Sequence, residues 1–199
     1  MSETKTELIE REDITILPDL REFSEGEGLQ LTAQRIESNE EFSRALSSFP
    51  IVGIDILLVN FDRKTVYLAE RRARPLKGSR WFIGGRILTG ETPEVAASRI
   101  FKRETGQVLD PGKLAFLFQA RYFLKDREQE PHDAGTDAFS FTFSLAVNDD
   151  EIAKIRTGLD PKEYESGAGL EEFDSARLDS DEVLTPVVSA FDSIFLASE

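Results

Sequence analysis

Residues Trp81 to Leu109 read WFIGGRILTGETPEVAASRIFKRETGQVL, and the fold turns on what this stretch does. Thr92 is a natural N-cap, Pro93 suits the first helical position, Glu94 favours the positive end of the helix dipole, and Gly106 can close the other end. The spacing predicts a helix that starts near Pro93. At about 100° per residue, Ala96, Ala97, Ile100 and Phe101 share one arc, and Glu104 falls in its middle. Burial and the dipole of the last turn both oppose an acid there.

Upstream of the helix, Gly84 and Gly85 permit close approach of backbone to a ligand, and Arg86 follows at once. Arg99 and Arg103 lie one turn apart on the flank of the arc that holds Glu104. Bare backbone, several arginines and an inward carboxylate are what a metal-bound diphosphate needs: guanidinium forks for phosphate oxygens and a hard oxygen ligand for a divalent cation. A competing account turns Glu104 outward from a frayed end or pairs it with an arginine.

Outward from this stretch, IVGIDILLVN and TVYLAERRA are apolar and β-branched, separated by the polar FDRK, and read as two strands joined by a tight turn. RARPLKGSR makes a basic loop. NEEFSRALSSF reads as a short helix capped by Asn39, with Phe42, Ala45, Leu46 and Phe49 on one face and Pro50 ending it. LAFLFQARYFL and AFSFTFSLAV read as strands around the polar loop KDREQEPHDAGTD, and DEVLTPVVSAFDSIF as a last helix with Pro186 in its first turn. The order predicts a mixed sheet covered by helices. Asp55 interrupts an apolar strand, which marks it for a ligand or for burial against an arginine.

The chain has 199 residues, 40% of them hydrophobic, enough for one domain with a real core plus an appendage. Residues 1–38, with the turn-forming SEGEG at Ser24 to Gly28, read as an acidic N-terminal extension, and residues 39–199 as the domain. A formal charge of −14 argues against a nucleic-acid partner, so any phosphate site must be local. A well-solvated surface accounts for the acidity, and a salt-loving host is the sharper alternative. The longest apolar run is too short for a bilayer and the first twenty residues are acidic, so neither membrane anchor nor signal peptide is expected. The absence of cysteine rules out disulfides and thiolate zinc sites and fits a cytoplasmic location.

Gly85, Glu91, Arg99, Phe101, Glu104 and Gly106 stand in the register of the Nudix box, G-x5-E-x7-R-E-U-x-E-E-x-G-U, and the stretch resembles it. Ile100 and Arg103 stand where that box has glutamates, and Gln107 where it has an aliphatic residue. This variant is similar to the box of the GDP-mannose mannosyl hydrolases, a likeness that extends to PIVGIDILL, RRARP and the GTD at Gly135 to Asp137, over roughly residues 40 to 195. The resemblance implies an α+β fold, a Nudix-type α/β/α sandwich with a mixed sheet between helices. It places Mg²⁺, or Mn²⁺, on Glu104 and the Gly85 carbonyl, and sets Arg71, Arg86 and Arg99 on the diphosphate, with Arg86 and Arg99 as catalytic groups. Asp55 and Asp137 go to substrate binding, and a homodimer is implied.

The family's histidine before the last helix has no counterpart, since the corresponding stretch is GAGLEEF and the only histidine, His132, lies in another loop. Glu171 and Glu172 are the nearest candidates for a general base, and His132 reads as a loop residue. The expected activity is hydrolysis of a nucleoside diphosphate sugar at its anomeric carbon. The alternatives are phosphoanhydride cleavage, as of ADP-ribose, and a Nudix-fold nucleotide-sugar-binding domain that no longer catalyses.

Overall fold

The structure, a computed structural model, describes residues 9–10, 17, 23–24, 31, 33, 36, 38–165, 169–180 and 183–196. The SEGEG turn after Ser24, and Gly167 and Ala168 of GAGLEEF, lie outside the described residues. Two short strands, β1 (Ile9–Glu10) and β2 (Phe23–Ser24), pair antiparallel.

Helix α1 (Asn39–Ser48) begins one residue later than its cap: Ser38, in extended backbone, accepts from the Glu41 amide at 3.1 Å, and Asn39 is already helical. Ser38 and not Asn39 is therefore the N-cap. Phe49 also departs from its expected place, standing past the helix end in extended backbone and 71% exposed. Ser43 is buried instead, because its hydroxyl donates to the Glu130 carbonyl at 2.6 Å and accepts from Arg127 at 2.7 Å. These bonds tie α1 to the loop carrying His132.

Strands β3 (Ile51–Asn60) and β4 (Thr65–Glu70) form the predicted hairpin, its turn closed by Lys64 at φ 53°. WFIGGR, read only as the approach to the helix, supplies two further strands, β5 (Arg80–Trp81) beside β4 and β6 (Ile83–Arg86) antiparallel to β3. Helix α2 (Pro93–Thr105) has the predicted ends: the Thr92 side chain accepts from the Val95 amide, and Gly106 caps it at φ 70°. Thr92→Ala is expected to cost about 1 kcal/mol in urea unfolding, the usual loss for an N-cap.

β7 (Leu114–Leu124) and β8 (Thr136–Ala146) pair antiparallel, and β8 runs parallel to β3. Helix α3 (Asp149–Gly158) was not expected, although its reciprocal Asn148 and Glu151 capping box is written in the sequence. Next come β9 (Leu170–Phe173), antiparallel to β4, then α4 (Ser175–Ser180) and α5 (Thr185–Phe195), with Pro186 in the first turn of α5 as predicted.

The sheet runs β5-β4-β3-β8-β7, with β6 also on β3 and β9 also on β4. Alternation along β3 sends Ile54, Ile56 and Leu58 toward Ala97, Ile100 and Phe101 of α2 and Ile152 and Ile155 of α3. Leu57 and Val59 pack with Leu178 of α4 and Val187, Ala190 and Phe191 of α5. This is the expected mixed sheet between helices. Leu17, from the N-terminal region, is buried in the α2 cluster. Among the described residues no helix is long and apolar enough to cross a membrane.

Candidate functional site

Consecutive residues of a strand face opposite sides, and β6 places two glycines in succession. A Cβ on Gly84 would stand 2.5 Å from Asp55 Oδ1 and 2.7 Å from the Ile54 carbonyl oxygen, and one on Gly85 would stand 2.8 Å from a terminal nitrogen of Arg103. The pair leaves both faces of β6 bare, so a carboxylate closes on one side and a guanidinium on the other. Around it opens a cleft lined by Asp55, Arg71, Arg86, Arg103, Tyr122 and Glu163 among others.

Asp55 shares the face of Leu57 and Val59 but lies where the cover of α5 gives way to the cleft, and it is 7% exposed. Burial raises its pKa to about 6, while the Ser140 hydroxyl, the Arg71 charge and the Trp81 indole pull it back. The folded state thus holds this proton more tightly than the unfolded chain. Stability from this group is greatest below pH 3.8 and declines as pH rises to about 6, by about 2–3 kcal/mol in all. Asp55→Asn is expected to stabilise the fold by a similar amount at about pH 7.5, in denaturant unfolding, and by far less near pH 4.

Glu104 is 1% exposed. Its Oε1 accepts from Arg103 Nε at 2.7 Å and touches the same guanidinium through Nη2, while its Oε2 is buried with no hydrogen-bond partner among the described residues. Burial raises its pKa; Arg103 works against this, and Glu163 adds to it. The arginine just before it in the chain is what the acid in the last turn of α2 meets.

Arg71, at the end of β4, donates to the Pro75 carbonyl at 3.1 Å and lies 3.3 Å from Glu163 Oε2. Glu163 is the functional candidate that the sequence did not reveal. It is positioned by its neighbour Tyr164, a fully buried ring in a polar loop whose backbone bridges Arg71. A lone aromatic among PKEYES was the available signal. Arg86 lies over the Phe42 ring at 4.3 Å and, among the described residues, its guanidinium has no carboxylate partner. Burial lowers its pKa, and the charges of Arg103 and Arg99 lower it further.

Asp55, Arg71, Gly85 and Arg86 thus line one cleft, with Glu104 behind Arg103. The other candidates lie outside it. Arg99 forks onto Glu91, donating at 2.7 Å to Oε2, and donates to the Arg86 carbonyl at 2.9 Å; Glu91 in turn accepts from the Leu88 amide at 2.8 Å. This brace shapes the loop before α2. Asp137 is engaged bidentately by Arg121 at 2.7 and 3.0 Å. The structure does not bring Glu171 or Glu172 to the cleft: β9 holds Glu171 against Arg80 and Arg177, and Glu172 against Arg63 at 3.0 Å and Thr65 at 2.7 Å. His132 sits in the loop before β8, its Nδ1 3.1 Å from the Arg127 carbonyl.

Compared with known protein families, residues 50–186 match the NUDIX domain, a span that includes α2 and the cleft. The chain belongs to the Nudix family. Solved Nudix structures share its fold. The MutT NUDIX hydrolase of Burkholderia pseudomallei superposes with a TM-score of 0.52 at 17% identity, covering 73% of this chain and 98% of that one. The MutT protein of Methanosarcina mazei Go1 gives 0.52 at 18%, covering 75% and 95%. The E. coli dihydroneopterin triphosphate pyrophosphohydrolase gives 0.51 at 16%, covering 74% and 96%. At such identities the likeness is one of fold. In this Nudix chain α2 is the box helix, and the two lost glutamates of the box have visible causes: Ile100 is fully buried against the sheet, and Arg103 reaches the cleft.

Nudix hydrolases generally use a divalent metal such as Mg²⁺. The donor set of this Nudix chain does not fit one. Such cations take several hard, mostly anionic oxygens, yet among the described residues no group of three or more Asp, Glu, His or Cys could hold an ion. Glu104 has one oxygen on Arg103 and the other sealed from solvent, and the Gly85 carbonyl stands 3.3 Å from where a Cβ on Gly53 would be. The expectation of Mg²⁺ or Mn²⁺ on Gly85 and Glu104 therefore meets a site already filled by a side-chain cation.

Proposed function

We propose that this Nudix chain hydrolyses a nucleoside diphosphate sugar, of the GDP-mannose class, at the sugar's anomeric carbon. The observation that carries the proposal is Arg86: a half-buried guanidinium with no carboxylate partner among the described residues, crowded by other arginines in an open cleft, calls for an anionic ligand. Arg71 and Arg103 line the same cleft and complete a cradle for two phosphates. The Tyr122 hydroxyl and the Asp55 carboxyl, both lining the cleft, offer hydrogen bonds to sugar or ribose hydroxyls.

In the reaction, a water oxygen bonds to the anomeric carbon as the bond from that carbon to the β-phosphate oxygen breaks. The electron pair leaves with the diphosphate, where the arginines stabilise the growing charge. Glu163, in the cleft and steadied by Arg71, accepts the water proton in place of Glu171 or Glu172. Cleavage at phosphorus, as of ADP-ribose, is the second reading, since Arg71, Arg86 and Arg103 could equally stabilise the charge that grows on phosphate oxygens when water attacks there.

A panel of nucleoside diphosphate sugars in ¹⁸O-water tests the proposal. The label is expected in the free sugar, with the anomer inverted, and absent from the nucleoside diphosphate. Label in a phosphate establishes the second reading, and tight binding without turnover establishes a binding domain.

A further inference from the structure

We propose that the guanidinium of Arg103 holds the place of the family's divalent cation, so that the cleft takes a diphosphate without metal. The inference rests on the diphosphate reading of the cleft and adds to it how the charge is supplied. The two residues to which the box would assign the cation, Gly85 and Glu104, both lie against this one side chain. Its Nη2 lies 2.8 Å from the vacant Cβ position of Gly85, and its Nε donates to Glu104 at 2.7 Å. A metal between them would have to expel the guanidinium or sit against it.

The neighbouring arginine cannot take this role. Arg99, one turn earlier, is tied to Glu91 and to the Arg86 carbonyl, outside the cleft. Arg103 has no carboxylate partner among the described residues other than Glu104, and its side chain is 49% exposed, so the outer edge of its fork remains open to a ligand. Planar guanidinium presents paired donors to phosphate oxygens much as it does to carboxylate. Glu104 then serves to anchor and orient a tethered cation. The box glutamate lost at position 103 and the cation gained there are one exchange.

Two titrations test this on the full chain. In the first, Mn²⁺ alone is followed by electron paramagnetic resonance with wild type, Arg103→Ala and Arg103→Glu, all checked for native melting. Wild type is expected to bind no Mn²⁺ at micromolar concentration, and Arg103→Glu, which restores a carboxylate at the box position, to bind it. Micromolar Mn²⁺ binding by wild type overturns the inference, as does an Arg103→Glu protein that folds and binds none.

In the second, ADP, GDP and UDP are titrated calorimetrically in EDTA and in excess Mg²⁺. Wild type is expected to bind its preferred diphosphate equally in both, within about twofold, and Arg103→Ala to bind it about tenfold or more weakly in EDTA. Wild-type binding that requires Mg²⁺ overturns the inference. If no diphosphate binds in either buffer, the diphosphate reading itself fails and metal-free diphosphate binding fails with it, while the Mn²⁺ titration still decides whether Arg103 holds the cation's place.

Discussion

Arg86→Ala is expected to lower kcat/KM by about 10²–10³-fold on the best substrate of the nucleotide-sugar panel, the scale on which loss of one preorganised charge-stabilising group is felt. The same change is expected to leave thermal stability intact or raised. In the free protein the Arg86 guanidinium is half-buried, unpaired with any described carboxylate, and repelled by Arg103 and Arg99, so the fold gains little from its charge. Only an anion relieves that repulsion. Arg86→Lys keeps the charge but loses the fork, and should fall between the two. Kinetics and a melting curve on the same preparation check the split. A variant that melts early while turning over normally shows instead that Arg86 is a structural partner of Phe42.

Gly84→Ala is expected to cost about 3 kcal/mol in denaturant unfolding, at the upper end of overpacking penalties. One methyl group would have to fit 2.7 Å from the Ile54 carbonyl oxygen, which belongs to the central strand and cannot turn aside, and 2.5 Å from Asp55 Oδ1. Relief requires β3 and β6 to separate or the Asp55 carboxyl to swing into the cleft, so substrate affinity should fall along with stability. Gly85→Ala makes the informative comparison. Its methyl meets chiefly the end of the half-exposed Arg103 side chain, so it should be milder for the fold.

The box helix was legible because its signals are local: Thr92, Pro93 and Gly106 each act within a turn of the backbone they shape. So were the long strands: β3 and β8, ten and eleven residues long, give their apolar and alternating patterns room to show. Strands β5, β6 and β9, with two to four residues each, carry no period to read, and β6 is half glycine. Helix α3 could have been found from Asn148 and Glu151. At the cleft, Asp55 announced itself as an acid in an apolar strand, and Arg86 by following the glycine pair. Glu163 did not, because it meets Arg71 across 92 residues of sequence that only the folded chain brings together. The partner of Glu104 was hidden differently. Spacing put Arg103 beside it, but only the bare face of Gly85 shows which way the guanidinium turns.

The parallel pairing of β3 with β8, from Ile51 opposite Ala138 to Val59 opposite Ala146, sets when the cleft can exist during folding. Hairpins and helices form from neighbours in sequence, whereas this ladder must close a loop containing all of α2 and β7 before its contacts repay the lost chain entropy. Gly53 and Ser140, directly opposite one another in that ladder, both line the cleft. A nascent chain that has emerged only as far as α2 therefore carries the box helix and the arginines of the cleft but not the wall that Tyr122, Ser140 and Glu163 complete, and competence to bind arrives late.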